Sequence, residues 1–308
     1  MSQPRVLVTG ASGLLGSNLA LQAVARYSVV GITHQHPLAD PGFETLQADL
    51  LAPGAVARVL DETQPDWVIH CAALADIDAC EQQPELARQL NTELPGELAR
   101  EAASRDLRFA HISTDAVFDG SHGPYKETDG PNPRSVYAKT KRMAELAVKA
   151  AHPQWLILRP NLFGWSPSGT HSLAEFFYNK LSNGQAVNGF TDRLFSPLHV
   201  GFLSEIILEL LDKGEHGIYN AGSRDSLSKY DFGMAIARQF GFNEQLVHPT
   251  DAEAAAPRSA DLRLNVSRLS QTLGRRLPSA AEGVARLYDE LHNGHRQKLQ
   301  AMAAASPA

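Results

Sequence analysis

Three glycines spaced three apart, in Gly10-Ala11-Ser12-Gly13-Leu14-Leu15-Gly16, follow the apolar run Val6-Leu7-Val8 and open a segment of helical periodicity. No other stretch constrains the chain as much. A strand, a turn stripped of side chains and a helix N-terminus together let backbone approach a pyrophosphate closely, with amide N–H groups aimed at the anion. Gly10, Ser12, Gly13, Leu14 and Leu15 are therefore expected to hold the phosphates of a dinucleotide.

The chain continues as that turn implies. Apolar, β-rich runs at 29–32, 67–69, 109–112 and 156–158 alternate with segments of 3.6-residue periodicity, among them helices expected over 14–26, 84–104 and 135–151. Such alternation predicts an α/β fold, a Rossmann-type doubly wound parallel sheet. Beyond Gly164 the rhythm loosens into a loop at 166–169, a helix at 173–181 and a late strand at 217–220. The expected organisation is an NAD(P)-binding domain over 1–164, with returning segments near 196–222, and a smaller interleaved substrate lobe mainly over 165–300. At 308 residues and 43% apolar content, the chain can bury cores for both.

Charge and composition narrow the partners. The net charge is -6 with Lys and Arg dispersed, which gives no footprint for nucleic acid. No apolar stretch is long enough to span a bilayer, so a cytoplasmic protein without a membrane partner is expected. Cys71 and Cys80 read as buried, inert thiols. The pairs His34/His36 and His292/His295 lack a neighbouring Cys or carboxylate, so no metal site is expected.

Cofactor choice is set near the end of the second strand, where an acidic residue would hold the free ribose hydroxyl of NAD and repel a 2'-phosphate. Here stands Thr33-His34-Gln35-His36. Thr33 and His34 can accept the extra phosphate, so NADPH is expected and NADH remains possible. Asp49-Leu50, after the third strand, suits either the adenine amino group or a helix N-cap.

The chemistry is carried by Thr114, Tyr137 and Lys141. Spacing of four places Tyr137 and Lys141 on one helical face. A phenol with an ordinary pKa of about 10 is a weak acid unless a cation stabilises its phenolate, which Lys141 is expected to do. Thr114, at a strand end, would hold a substrate carbonyl oxygen beside Tyr137. Each residue alone is more often packing, solvated surface or cap; their order behind a dinucleotide turn is what carries the reading.

With these residues the chain resembles the extended short-chain dehydrogenases/reductases, and within them the dTDP-4-dehydrorhamnose reductase family. The resemblance rests on Gly10 to Gly16, Pro65-Asp66-Trp67-Val68-Ile69-His70-Cys71-Ala72-Ala73, Asn91 before Leu94-Pro95-Gly96, Ser113-Thr114-Asp115-Ala116-Val117-Phe118-Asp119-Gly120, Tyr137 to Lys141, Leu158-Arg159-Pro160 and Pro257-Arg258. It implies catalytic roles for Thr114, Tyr137 and Lys141, with Asn91 helping to hold a water near the lysine. It also implies that Cys71, Ala72 and Ala73 line the cofactor cleft. The implied reaction is NAD(P)H-dependent reduction of the 4-keto group of a nucleotide-linked deoxysugar, by an enzyme that is often a homodimer.

By the same resemblance Asn161, Asp192, Arg193 and Arg258 are expected at the substrate, the guanidinium groups pairing with its pyrophosphate. Surface ion pairing stays open for Arg193 and Arg263. Ala116 stands where the family often has an aromatic, and the loop 74–78 lacks another, which leaves space near the sugar. No Glu follows Thr114-Asp115, which disfavours dehydration. Two other roles stay open: a non-catalytic, NADP-binding regulatory subunit like that of methionine adenosyltransferase, and a nucleotide-sugar epimerase.

Overall fold

Seven short strands lie side by side in one parallel sheet: β1 (Arg5–Thr9), β2 (Ser28–Thr33), β3 (Glu44–Gln47), β4 (Trp67–His70), β5 (Arg108–Ile112), β6 (Trp155–Pro160) and β7 (Gly217–Ala221). The structure, a computed structural model, describes residues 3–251 and 259–303. Strand order is β7-β6-β5-β4-β1-β2-β3. Because β1 is the point from which the chain winds outward in both directions, a crevice opens above the carboxyl ends of β1 and β4, the place where such sheets bind ligands.

Alternation along the strands divides the core in two. Val6, Val8, Ile69 and Leu158 pack against helix α1 (Leu14–Ala23) and a later helix spanning Val200–Asp212. Leu7, Val30, Val68 and Ile157 face the other way, against α2 (Ala55–Thr63), α3 (Leu94–Ser104) and α4 (Val136–Ala151). The sheet thus carries helices on both faces, as its alternating sequence requires.

One expected helix is built differently. The stretch 84–104 is broken into Pro84–Arg88, a π-turn at Gln89–Glu93 and α3. Pro95 has no N–H to return to the carbonyl four residues back, and the chain widens instead, with Leu94 N–H bonding Gln89 O. Asn91 sits inside this wide turn and is fully buried.

The remaining elements form a lobe over the crevice. Its helix Leu173–Ser182 begins with a capping box made by Ser172 and Glu175. Strand Leu194–Phe195 lies between Leu227–Ser228 and Asp261–Leu262, and Val187–Phe190 pairs with Val247–Thr250. Phe163, Phe177, Phe195 and Phe232 fill the lobe's core. Among the described residues no helix is long and apolar enough to cross a membrane.

Candidate active site

The glycine turn is made by contacts that side chains would obstruct. Gly10 has a φ of +67°, and a Cβ there would lie 2.8 Å from the backbone of Ala72. A Cβ on Gly16 would collide with the Gly10 carbonyl. No side chain caps the N-terminus of α1 and its first turn holds no carboxylate, so the dipole end and its N–H groups remain free for an anion. Thr9 Oγ1 accepts the Ala72 N–H at 3.2 Å and ties the ends of β1 and β4 together beneath this turn.

These residues fit a bound NAD(P) in three respects: a glycine cradle, an uncapped helix N-terminus and an apolar Ala72-Ala73 wall. Thr33 is buried at the end of β2, and the exposed His34, Gln35 and His36 follow it. Asp49 Oδ1 accepts the Leu51 N–H at 3.0 Å, so that carboxylate shapes its own turn. Burial pushes the Cys71 thiol up to about 12, leaving it unreactive at neutral pH.

Above the turn, Ser135 caps α4 and starts the helix so that Tyr137 and Lys141 share its inward face. Tyr137 is half-buried and lines a cleft of about 740 Å³ with Thr114, Asp115, Ala116, Asn161 and Arg193. Burial pushes its phenol up to about 12, with Thr114 pulling it down and Asp115 adding to the rise. Lys141 is buried; its ammonium donates to the Ile112 carbonyl at 2.7 Å and lies 3.3 Å from His111 Nε2. Burial brings Lys141 down to about 8, against the pull of Glu145. The polar contacts of the Lys141 ammonium run to β5, and burial is the largest influence on the Tyr137 phenol.

Thr114, two residues past the end of β5, accepts the Ala116 N–H at 3.1 Å while donating to Asp115 Oδ1 at 3.1 Å. Asp115 is 4% exposed and accepts from Asn161 Nδ2 at 2.6 Å. Burial pushes this carboxyl up to about 6, against hydrogen bonds from Asn161 and Thr114. Both polar atoms of the Asn91 side chain have protein partners. Its Nδ2 donates to Leu74 O at 3.0 Å and Thr140 Oγ1 at 3.2 Å, and its Oδ1 accepts the Leu74 N–H at 2.8 Å. It clamps the loop leaving β4 to α4, a role the sequence did not suggest.

On the lobe side, Arg193 lines the cleft and pairs with Asp192 at 3.3 Å. Arg263 instead grips Asp261 through two nitrogens, at 2.8 and 2.6 Å, and the Gly123 carbonyl at 3.1 Å, so it braces the lobe. Arg258 lies outside the described residues. Lys229, Asn188, Phe190 and Asp78 also line the cleft and were not picked out in the sequence. Only Asp78 adjoins a motif, because the others sit on short lobe strands and a helix start far along the chain.

The chain's relationships agree with this geometry. Residues 4–293 match the family model for the RmlD substrate binding domain. The chain belongs to that family. It is similar to the probable low-salt glycan biosynthesis reductase Agl14 of Haloferax volcanii, at 35% identity over 91% of this chain and 96% of that one. It is also similar to methionine adenosyltransferase 2 subunit beta of Bos taurus, at 34% identity over 88% of this chain and 82% of the relative. The solved structure of dTDP-4-dehydrorhamnose reductase from Bacillus anthracis in complex with NADP superposes with a TM-score of 0.83. It covers 94% of this chain and 99% of that one at 24% identity, and so shares the fold. In this RmlD-family chain Thr114 and Tyr137 line one cleft, and Lys141 is buried on the same helix as Tyr137.

Proposed function

We propose that this chain is a dTDP-4-dehydrorhamnose reductase-like enzyme, reducing the 4-keto group of a nucleotide-linked deoxysugar with NADPH, NADH being the poorer donor. It is an NAD(P)-dependent oxidoreductase of the RmlD family. The observation that carries the finer reading is the convergence of Thr114, Tyr137, Asn161 and Arg193 on one cleft of about 740 Å³.

When bound, NADPH supplies the hydride. Gly10, Ser12, Gly13, Leu14 and Leu15 would hold its phosphates, Cys71, Ala72 and Ala73 would form the wall, and Thr33, His34, Asp49 and Leu50 would meet its adenosine end. Thr114 holds the substrate carbonyl oxygen, and Tyr137 donates the proton that this oxygen takes up. A phenol kept protonated by burial is in the state that reduction requires. As its proton leaves, the ammonium of Lys141 on the same helix face offsets the phenolate charge. Arg193, with Asp192 behind it, and Arg258 are assigned to the pyrophosphate of the sugar nucleotide, and Asn161 to the sugar side. Met143 and Leu146 stand exposed on the outer face of α4, apolar surface that a homodimer would cover.

A panel of 4-keto-6-deoxy sugar nucleotides assayed with NADPH and with NADH tests the reading. Cofactor oxidation with at least one of them is expected, faster with NADPH. The similarity to a methionine adenosyltransferase subunit supports a second reading, a regulatory role. That role predicts a stoichiometric complex with the synthetase and no turnover with any sugar.

A further inference from the structure

Behind Lys141 lie two histidines that the proposed chemistry does not use. His111 on β5 and His70 on β4 are both wholly buried, and their rings stack 5.5 Å apart at 23°. His70 Nδ1 is hydrogen-bonded to Thr9 Oγ1 at 2.7 Å, which fixes the plane of the stack. His111 Nε2 faces the Lys141 ammonium at 3.3 Å, next to the Ile112 carbonyl at 2.7 Å. Among the described residues His70 Nε2 and His111 Nδ1 have no hydrogen-bond partner, a cost that plain packing would avoid with an apolar side chain.

We infer that His111 is a positioning residue for Lys141: its Nε2, bare in the neutral Nδ1–H tautomer, accepts a hydrogen bond from the ammonium and holds it against β5. Of the three ammonium protons, Ile112 and His111 take two, and one is left for a further acceptor. Burial keeps both imidazoles far below their ordinary value, so His111 stays an acceptor across the physiological range. The other groups facing this site are Cys71 beyond β4, Glu145 on α4 paired with Arg159 on β6, and Tyr137 with Asp115 above. A hydrogen bond to a cation favours its charged form, so removing the acceptor lowers the lysine pKa further.

The catalytic consequence rests on the reductase reading; the anchoring does not. Nitrogen NMR on 15N-histidine-labelled protein, assigned through His111→Gln, is expected to show His111 neutral with its proton on Nδ1 from pH 6 to 8. A proton on Nε2, or an imidazolium at neutral pH, would overturn the inference. Carbon NMR of ε-13C-lysine is expected to place the Lys141 titration about one pH unit lower in His111→Leu and near the native value in His111→Gln, whose amide oxygen still accepts. Unchanged titration in the Leu variant overturns it equally; if that variant does not fold, the tautomer in the native protein decides. In turnover, the alkaline fall in kcat/KM moves down with Leu and recovers with Gln. Absence of any turnover counts against the reductase reading and leaves the NMR result standing.

Discussion

Arg159 on β6 closes a two-pronged ion pair with Glu145 on α4, Nε to Oε1 and Nη2 to Oε2 both at 2.7 Å, with the two side chains 1% and 0% exposed. Ser113, one residue before Thr114, donates to the same carboxylate at 2.8 Å. The pair therefore sets where α4 sits over the end of β5, and with it the separation between Thr114 and the Tyr137, Lys141 face. Burial raises the Glu145 carboxyl, but Arg159, Ser113 and Arg142 together hold it below the ordinary carboxylate range.

Arg159→Met leaves a buried carboxylate with only Arg142 and Ser113 to hold it. The expected loss of stability is about 3–5 kcal/mol in denaturant unfolding, because breaking one side of a buried pair strands the other. Because the folded pKa of Glu145 is depressed, the pair's contribution is present above the unfolded carboxylate pKa and lost as pH falls through the folded value. The gap between native and variant should accordingly shrink in acid.

Asp115 has the opposite sign. Its folded value of about 6 lies above that of an unfolded aspartate, so the stability tied to its protonated form is complete below about pH 4 and lost as pH rises through about 6. Asp115→Asn should gain about 2–3 kcal/mol relative to native between pH 4 and pH 8. Comparing the two proteins at both pH values cancels changes in hydrogen bonding that do not titrate. A constant difference would show that Asp115 is ionised throughout.

The phosphate cradle predicts a steric outcome. Gly16→Ala puts a methyl group against the Gly10 carbonyl, and Gly10 is itself fixed against Ala72. We expect a stability loss of about 1–3 kcal/mol and NADPH binding too weak to follow by nicotinamide fluorescence. Retained affinity would remove this turn from the cofactor site.

Much of this architecture was legible in the chain because its signals are local. The strand, glycine turn and helix at 6–16 satisfy three independent constraints within eleven residues, and Ser135, Tyr137 and Lys141 announce a helix with one working face. What stayed hidden depends on contacts across the fold. His70 and His111 read as ordinary polar positions in strands, and only the pairing of β4 with β5 stacks them beneath Lys141. The π-turn does not show in the sequence because the periodicity predicts one helix over 84–104, straight through Pro95. Lys229 and Asn188 enter the cleft through lobe elements with too little periodicity to show, and the direction of the Tyr137 pKa depends on burial that a sequence does not display.

Cofactor preference is expected to turn on the end of β2. His34 is exposed there, with its carbonyl accepting from Gln47 Nε2 at 2.8 Å and no carboxylate within Thr33 to His36. His34→Asp places a negative charge where a 2'-phosphate would lie, and the ratio of kcat/KM for NADPH over NADH should fall roughly tenfold or more. An unchanged ratio would place the adenosine end elsewhere.

The proton donor is the centre of the account, and Tyr137→Phe tests it most directly because the ring, and so the packing, is kept. The measurement is kcat/KM with NADPH and a 4-keto sugar nucleotide, alongside the NADPH dissociation constant. Loss of roughly 10²–10⁴-fold in kcat/KM, with cofactor affinity within a few-fold of native, is the predicted result. Turnover that survives the substitution at the native rate would contradict it.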